Sequence, residues 1–293
     1  GLFLYPAAEY CGRVLVLDIG MPPEALEREV PLFEIGWHSL HRGLLRKRAP
    51  NAHKGSFGHL LVAGGSTGMA GSVCMAAQAA ARSGAGRVTL GCPESIATVA
   101  AEKLTEAMTL PLPCDDRGML TAQAAEPLLR FIESADAVVF GCGLRCGDGQ
   151  AELLRQVIRC GKPLVLDADA LNLLASERDL LYDREGPVIL TPHPGEMARL
   201  LELPTGEVNA RRLDCASLMT GQYGVTTVLK GAGTVAAFDD DTFFINASGN
   251  AGMAKGGSGD VLAGMMSALL ACGLFACEAA ACAVWLHGAA ADR

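Results

Sequence analysis

The sequence predicts an α/β fold: a central, mostly parallel sheet with helices on both faces. Three observations carry that prediction. From residue 59 onward, short apolar runs rich in β-formers recur. Each is followed by a cluster of glycine and polar residues and then by a helical stretch, the alternation that builds parallel sheets. Finally, 293 residues at 50% apolar and 19% charged can bury a large core and lie outside the disordered range.

Taken in order, residues 13–18 (RVLVLD) read as one short strand, which 19–23 (IGMPP) ends because proline cannot continue a ladder. Residues 24–50 are charged and hold no apolar period beyond a turn or two. The basic group Arg42, Arg46, Lys47 and Arg48 is better read there as a solvated linker than as a phosphate patch. Strands are then predicted at 59–62 (HLLV), 87–90 (RVTL), 137–140 (AVVF), 163–166 (PLVL), 187–190 (PVIL) and 226–229 (TTVL). A hairpin follows over 234–238 and 242–245. Behind those parallel strands stand Ala63-Gly64-Gly65, Gly91-Cys92-Pro93, Gly141-Cys142-Gly143, Asp167-Ala168-Asp169, Thr191-Pro192-His193-Pro194-Gly195-Glu196 and Lys230-Gly231. In an open parallel sheet ligands bind at the carboxyl ends of the strands, so these segments should converge on one crevice.

Composition narrows the partner. A net charge of -8 disfavours a nucleic-acid surface or an anionic membrane face and favours a small molecule. Eleven cysteines with no C-x-x-C pair fit neither a disulfide framework nor a structural zinc site, and point to a reducing, cytoplasmic compartment. Thirty-five glycines against few aromatics suggest a ligand held by backbone amides. Residues 261–277 carry no charge, but they are mostly Ala, Gly, Cys and Met and are split by Gly273, so two buried helices are expected rather than a membrane span. The chain starts without methionine or a basic-then-apolar leader and stops in helical character at Arg293, so a fragment is expected.

The strongest motif is N-A-G-M-A-K-G-G-S-G-D over 250–260, leading into an apolar helix. Gly256, Gly257 and Gly259 leave amides uncovered where a helix begins, and amides plus the helix dipole bind an anion such as a phosphoryl group. Asp260 stands beside that anion site. The simpler reading, in which Asp260 only caps the helix, would need one glycine rather than this cluster. A helix N-terminus should hold the Asp260 carboxylate at low basicity, which phosphoryl transfer tolerates because positioning and charge neutralisation dominate it. The motif is not a Walker loop, and the 64–68 loop lacks G-x-G-x-x-G spacing. In T-P-H-P-G-E, two prolines make a rigid loop around His193, which reads as functional ahead of a surface turn. Asp167 and Asp169, with Asn172 a turn later, suit Mg²⁺ through water or a helix cap. Lys230 reads equally as a phosphate contact or a solvated turn lysine.

In chain order, H-K-G-S-F-G (53–58), S-G-A-G (83–86), D-A-D-A-L-N (167–172), T-P-H-P-G-E (191–196), L-K-G (229–231), G-M-A-K-G-G-S-G-D (252–260) and L-H-G (286–288) closely resemble the ADP/ATP-dependent NAD(P)H-hydrate dehydratases of the ribokinase-like superfamily. The resemblance covers 51–293 and implies a dehydratase domain that runs one helix further than Arg293. It also implies that 1–23 is the closing strand of an NAD(P)H-hydrate epimerase domain, with 24–50 a linker, in a bifunctional cytoplasmic parent. The implied reaction is repair of the S-epimer of hydrated NADH or NADPH: the ring hydroxyl is phosphorylated, phosphate leaves and the double bond returns. ADP is the favoured donor over ATP, with Mg²⁺, and no residue is singled out as a metal ligand. Carried over by resemblance, Asp260 activates the hydroxyl while the amides of Gly257, Ser258 and Gly259 hold the transferred phosphoryl. Gly143, His193, Pro194, Gly195, Glu196, Met197, Ala198, Arg199 and Asp260 face the hydrate. Lys230, Gly231, Ala232, Gly233 and Thr234, with Asn250, Ala251, Gly252, Met253, Ala254, Lys255, Gly256, Gly257, Ser258 and Gly259, hold the nucleotide. The family often has Thr where Ser258 stands, and G-P-G-L where 141–144 read G-C-G-L. Relatives form oligomers, so self-association is expected. Competing readings are a small-molecule kinase that releases a stable phosphate ester, and a non-catalytic nucleotide-binding module indifferent to Asp260→Asn.

Overall fold

The computed structural model describes residues 7–15, 17–22, 24, 32–35 (backbone alone) and 48–293. Ten strands form one sheet: β1 (Leu32–Ile35), β2 (His59–Ala63), β3 (Arg87–Pro93), β4 (Met108–Leu112), β5 (Ala137–Phe140), β6 (Leu164–Leu166), β7 (Val188–Leu190), β8 (Thr226–Leu229), β9 (Val235–Ala237) and β10 (Phe243–Asn246). Their order is β1-β10-β9-β8-β7-β6-β5-β2-β3-β4. Pairing is parallel except on the two sides of β9, which forms the expected hairpin with β10. The central strands read as unbroken apolar runs because both faces are covered, as parallel strands require.

Helices α1 (Ala70–Arg82), α2 (Glu94–Lys103), α3 (Ala125–Glu133), α4 (Asp148–Ile158), α5 (Asp169–Leu174), α6 (Pro194–Leu201), α7 (Thr205–Ala210), α8 (Arg212–Tyr223), α9 (Ser258–Ala271) and α10 (Ala276–Ala291) complete the chain. Strand alternation assigns two cores. Leu60, Val62, Ala137 and Val139 join α1, α9 and α10 on one face, while Leu61, Ala63, Val138 and Phe140 join α3, α4, α5, α6 and α8 on the other. The uncharged stretch is indeed two helices, parted at Gly273 (φ +88), and among the described residues no helix is long and apolar enough to cross a membrane. All eleven cysteines are free.

Two expectations are corrected. Residues 13–15 and 17–18 form no strand, Val16 lying outside the described residues; Leu15 and Leu17 are exposed, and nothing described offers their backbone a ladder. The stretch expected as linker supplies β1, which pairs with β10 at the sheet edge. Arg48, from the basic group, donates to Gly84 O at 3.1 Å and lies over the Phe57 ring; Arg42, Arg46 and Lys47 lie outside the described residues. Strand β4 carries no period-2 signal and contains Pro111, which an edge strand tolerates.

The topology positions the site. From β2 the chain builds outward to β3 and β4, then returns to β5 on the other side of β2 and continues to β8. The order therefore reverses between β2 and β5, the position at which an open α/β sheet binds its ligands.

Candidate active site

Loops from both sides of the reversal line the crevice and bind each other. Gly65 N–H donates to Cys142 O at 2.9 Å, and Ser66 Oγ–H to Gly143 O at 2.9 Å. Gly141 holds φ +123, and a Cβ there would run into the Asp167 carbonyl and Ala170, so only glycine lets the loop after β5 lie against the loop after β6.

Helix α9 begins at Ser258, so Ser258, Gly259 and Asp260 form its first turn, whose amides have no intrahelical partner. Gly257 enters the helix with φ +92, and a Cβ on it would stand 2.5 Å from Met75 Sδ. The Ser258 hydroxyl donates to Met253 O at 2.7 Å, closing the glycine-rich loop on itself. Asp260 Oδ1 accepts the hydroxyl of Ser72, which α1 carries. Burial raises the Asp260 carboxyl above its ordinary value; the Ser72 hydrogen bond opposes that, and the neighbouring Asp167 adds to it. The basicity expected to be low is thus moved upward, because desolvation by the packed crevice outweighs the donors around the carboxylate.

Behind the first turn lies a buried charged cluster. Asp167, 2% exposed, accepts Thr191 Oγ–H at 2.8 Å and Lys230 Nζ at 2.5 Å, and Glu196 Oε2 lies 3.8 Å from the same ammonium. Lys230 is therefore not the solvated lysine of one reading. Burial works against its ammonium, but Asp167 and Glu196 more than offset that and hold it above its ordinary value. The position of a Cβ on Gly259 lies 3.4 Å from Lys230 Nζ and 3.8 Å from Asp167 Oδ2, so this pair sits directly against the anion-binding turn. Asp169 turns away: it accepts Arg145 N–H at 2.7 Å and Asn172 Nδ2 at 3.3 Å, so the two aspartates of D-A-D-A-L-N serve different neighbours.

His193 caps α6. Its Nδ1 accepts from the amides of Gly195 (3.0 Å) and Glu196 (3.2 Å), while its own N–H donates to Glu196 Oε2 at 2.7 Å. The imidazole stays half exposed, with its pKa lowered by burial and then by Lys230 and Arg199. Pro194 and Gly195 are partly exposed and Arg199 is exposed, its Nε donating to Asn172 Oδ1 at 2.9 Å. The side chains of Met197 and Ala198, at 0% and 8% exposure, pack in the core, because α6 must bury that face. Glu196 is likewise turned inward.

Burial pushes Glu196 from 4.5 up to about 7, partly opposed by Lys230. Between those values the folded state holds a proton that the unfolded state has lost, so stability present at low pH is lost as pH rises through about 7. Glu196→Gln cannot titrate and still accepts the His193 amide. Urea denaturation at about pH 5 and about pH 8 should show that the variant lacks a loss on the order of 2 kcal/mol seen in the parent. Parallel pH dependence in the two proteins would remove Glu196 as its source.

The other nucleotide candidates fall in two loops beside the turn. Gly231 and Ala232 are exposed and Gly233 partly so, whereas Thr234 is buried and donates to Gly231 O at 2.8 Å. Asn250 Oδ1 accepts from Gly252 N–H at 2.9 Å, and its Nδ2 donates to Ala291 O and Asp292, tying the loop to the end of α10. Ala251, Gly252, Ala254, Lys255 and Gly256 are exposed around the partly exposed Met253. Gly143, with φ +62, sits against Met69 and Ser72.

Several contributors carried no sequence signal. They are Ser72, Thr191 as a partner of Asp167, Arg212, which donates to Leu229 O and Lys230 O, and Arg145, which holds φ +63 and donates from Nε to Ser66 Oγ at 3.2 Å. Ligand atoms of Cys142, Asp167 and Asp260 lie within 4.8 Å of one another. That set does not fit Mg²⁺, which seeks oxygen: one donor is a thiol and one carboxylate is already neutralised by Lys230.

Residues 60–293 match the model of a family described as NAD(P)H-hydrate dehydratase. The chain is 40% identical over its whole length to a bifunctional NAD(P)H-hydrate repair enzyme of Moorella thermoacetica, of which it covers 56%; it spans about half the length of the curated relatives of this kind. It is also 40% identical to an ADP-dependent (S)-NAD(P)H-hydrate dehydratase of Neisseria meningitidis, over 85% of this chain and 81% of that one. Among solved structures, an ADP/ATP-dependent NAD(P)H-hydrate dehydratase of Bacillus subtilis co-crystallised with ATP/Mg²⁺ superposes with TM-score 0.75 at 31% identity, covering 89% of this chain and 88% of that one. The fold is ribokinase-like, as the sequence predicted.

Proposed function

The chain belongs to the NAD(P)H-hydrate dehydratase family, and we propose that its crevice dehydrates the S-epimer of hydrated NADH or NADPH at the expense of ADP. One observation carries the assignment of the site: the carboxyl of Asp260, the uncovered first turn of α9 and the Lys230 ammonium meet at one place. Asp260 takes the proton of the ring hydroxyl, whose oxygen then forms a bond to the terminal phosphorus of ADP as the bond to AMP breaks. The amides of Gly257, Ser258 and Gly259 with Lys230 neutralise the moving phosphoryl group, the chief protein contribution to such transfers. The phosphate then leaves the ring with its bonding electrons while a ring proton departs, which restores the double bond. The raised carboxyl of Asp260 suits proton acceptance better than an ordinary aspartate would.

His193 and Arg199 flank the outer side of the crevice and face the hydrate, while the loops at 231–234 and 250–256 take the nucleotide. Mg²⁺ entering with the nucleotide would supply charge neutralisation at the phosphates, since Cys142, Asp167 and Asp260 offer it no cage of protein oxygens. The parent protein carries an epimerase as well, acts in the cytoplasm and self-associates.

The test is the near-ultraviolet absorbance of the reduced nicotinamide, with NADH hydrate and Mg²⁺ and with ADP, ATP or no nucleotide. Regain of absorbance that requires nucleotide, fastest with ADP, is expected. Silence in the full-length protein would favour a small-molecule kinase instead. His193→Ala should raise the KM for the hydrate about tenfold and that for ADP less than about twofold. Equal losses for both ligands would move His193 out of the hydrate subsite.

A further inference from the structure

We propose that Ser72 is the positioning residue of this active site: from α1 its hydroxyl holds Oδ1 of Asp260 on α9 and keeps that carboxylate in the proton-accepting form. The inference rests on the reading of Asp260 as the base. Ser72 is 8% exposed, so the donor side of this part-buried hydrogen bond is shielded from competing water. The helices that carry the two residues are locked together, since Gly264 of α9 lies against the backbone of Ala76 on α1, where any Cβ would collide. The loop after β5 leaves Ser72 its room: a Cβ on Gly143 would stand 3.1 Å from Ser72 Cβ, and Ser66 holds that loop through the Gly143 carbonyl.

The groups facing Asp260 come from separate elements. Ser72 is on α1, Cys142 follows β5, Asp167 follows β6 and Lys230 follows β8. Burial and the like charge of Asp167 favour the neutral acid. Ser72, Cys142 and Lys230 favour the carboxylate, and Ser72 is the first of these. Without its hydroxyl the charged form loses a donor, so Asp260 should protonate at higher pH.

The pH dependence of kcat for Ser72→Ala, measured in the full-length protein beside Asp260→Asn, tests this. The acid limb should move up by about one pH unit, giving about a tenfold loss below the limb and near-parental rates above it, with ADP affinity within about twofold. A merely structural role would lower kcat evenly across pH. Either an unmoved limb or an even loss, with Asp260→Asn inactive, overturns the role of Ser72 alone. Turnover persisting in Asp260→Asn overturns the base assignment and this inference with it.

Discussion

Asp260→Asn should lower kcat on the order of 10³-fold while ADP affinity stays within a few-fold. Asparagine keeps the shape and can still accept the Ser72 hydroxyl, but it cannot take a proton. The substitution also removes a charge that burial and Asp167 both disfavour, so folding should be as stable as in the parent or slightly more so. Equal or higher Tm together with lost turnover would separate chemistry from folding. Near-parental turnover would remove Asp260 from the base role, and a non-catalytic nucleotide module would then become the better description.

The second large effect is on stability. Lys230→Met leaves Asp167, 2% exposed, and Glu196, 5% exposed, without the ammonium between them. Breaking a buried pair by removing one partner costs about 3–5 kcal/mol, because the remaining charge keeps its desolvation penalty. In a chain of this size a Tm lower by about 10 °C should follow. The double variant Lys230→Met with Asp167→Asn should recover part of that loss, since the uncompensated charge is gone. A Tm drop of less than about 2 °C in Lys230→Met would mean that the cluster is hydrated and its ion pair weak.

The amino-acid sequence by itself determined much of the scaffold. The runs at 59–62, 137–140 and 187–190 are strands because a parallel strand covered on both faces must be apolar throughout, a local signal. The glycine-rich turn ahead of α9 and the placement of Asp260 in it were legible for a similar reason, since uncovered amides at a helix start are encoded within a few residues. The ordered series of motifs also carries the family identity in the sequence itself.

What the tertiary structure alone decided involves residues distant along the chain. Lys230 could be read as a phosphate contact or a solvated turn, and only the approach of β6 to β8 through β7 placed it on Asp167. Strand β1 had no amphipathic signal of its own and is a strand because β10 offers it an open edge. The resemblance carries Met197 over as a hydrate contact, and only the direction α6 takes puts its side chain in the core. The Asp260 carboxyl shows the division most plainly. Its helix position argues for low basicity, a local dipole effect, whereas the closure of α1, β5 and β6 around it removes water and raises it. Desolvation is a property of everything packed around a group, so no window of sequence contains it.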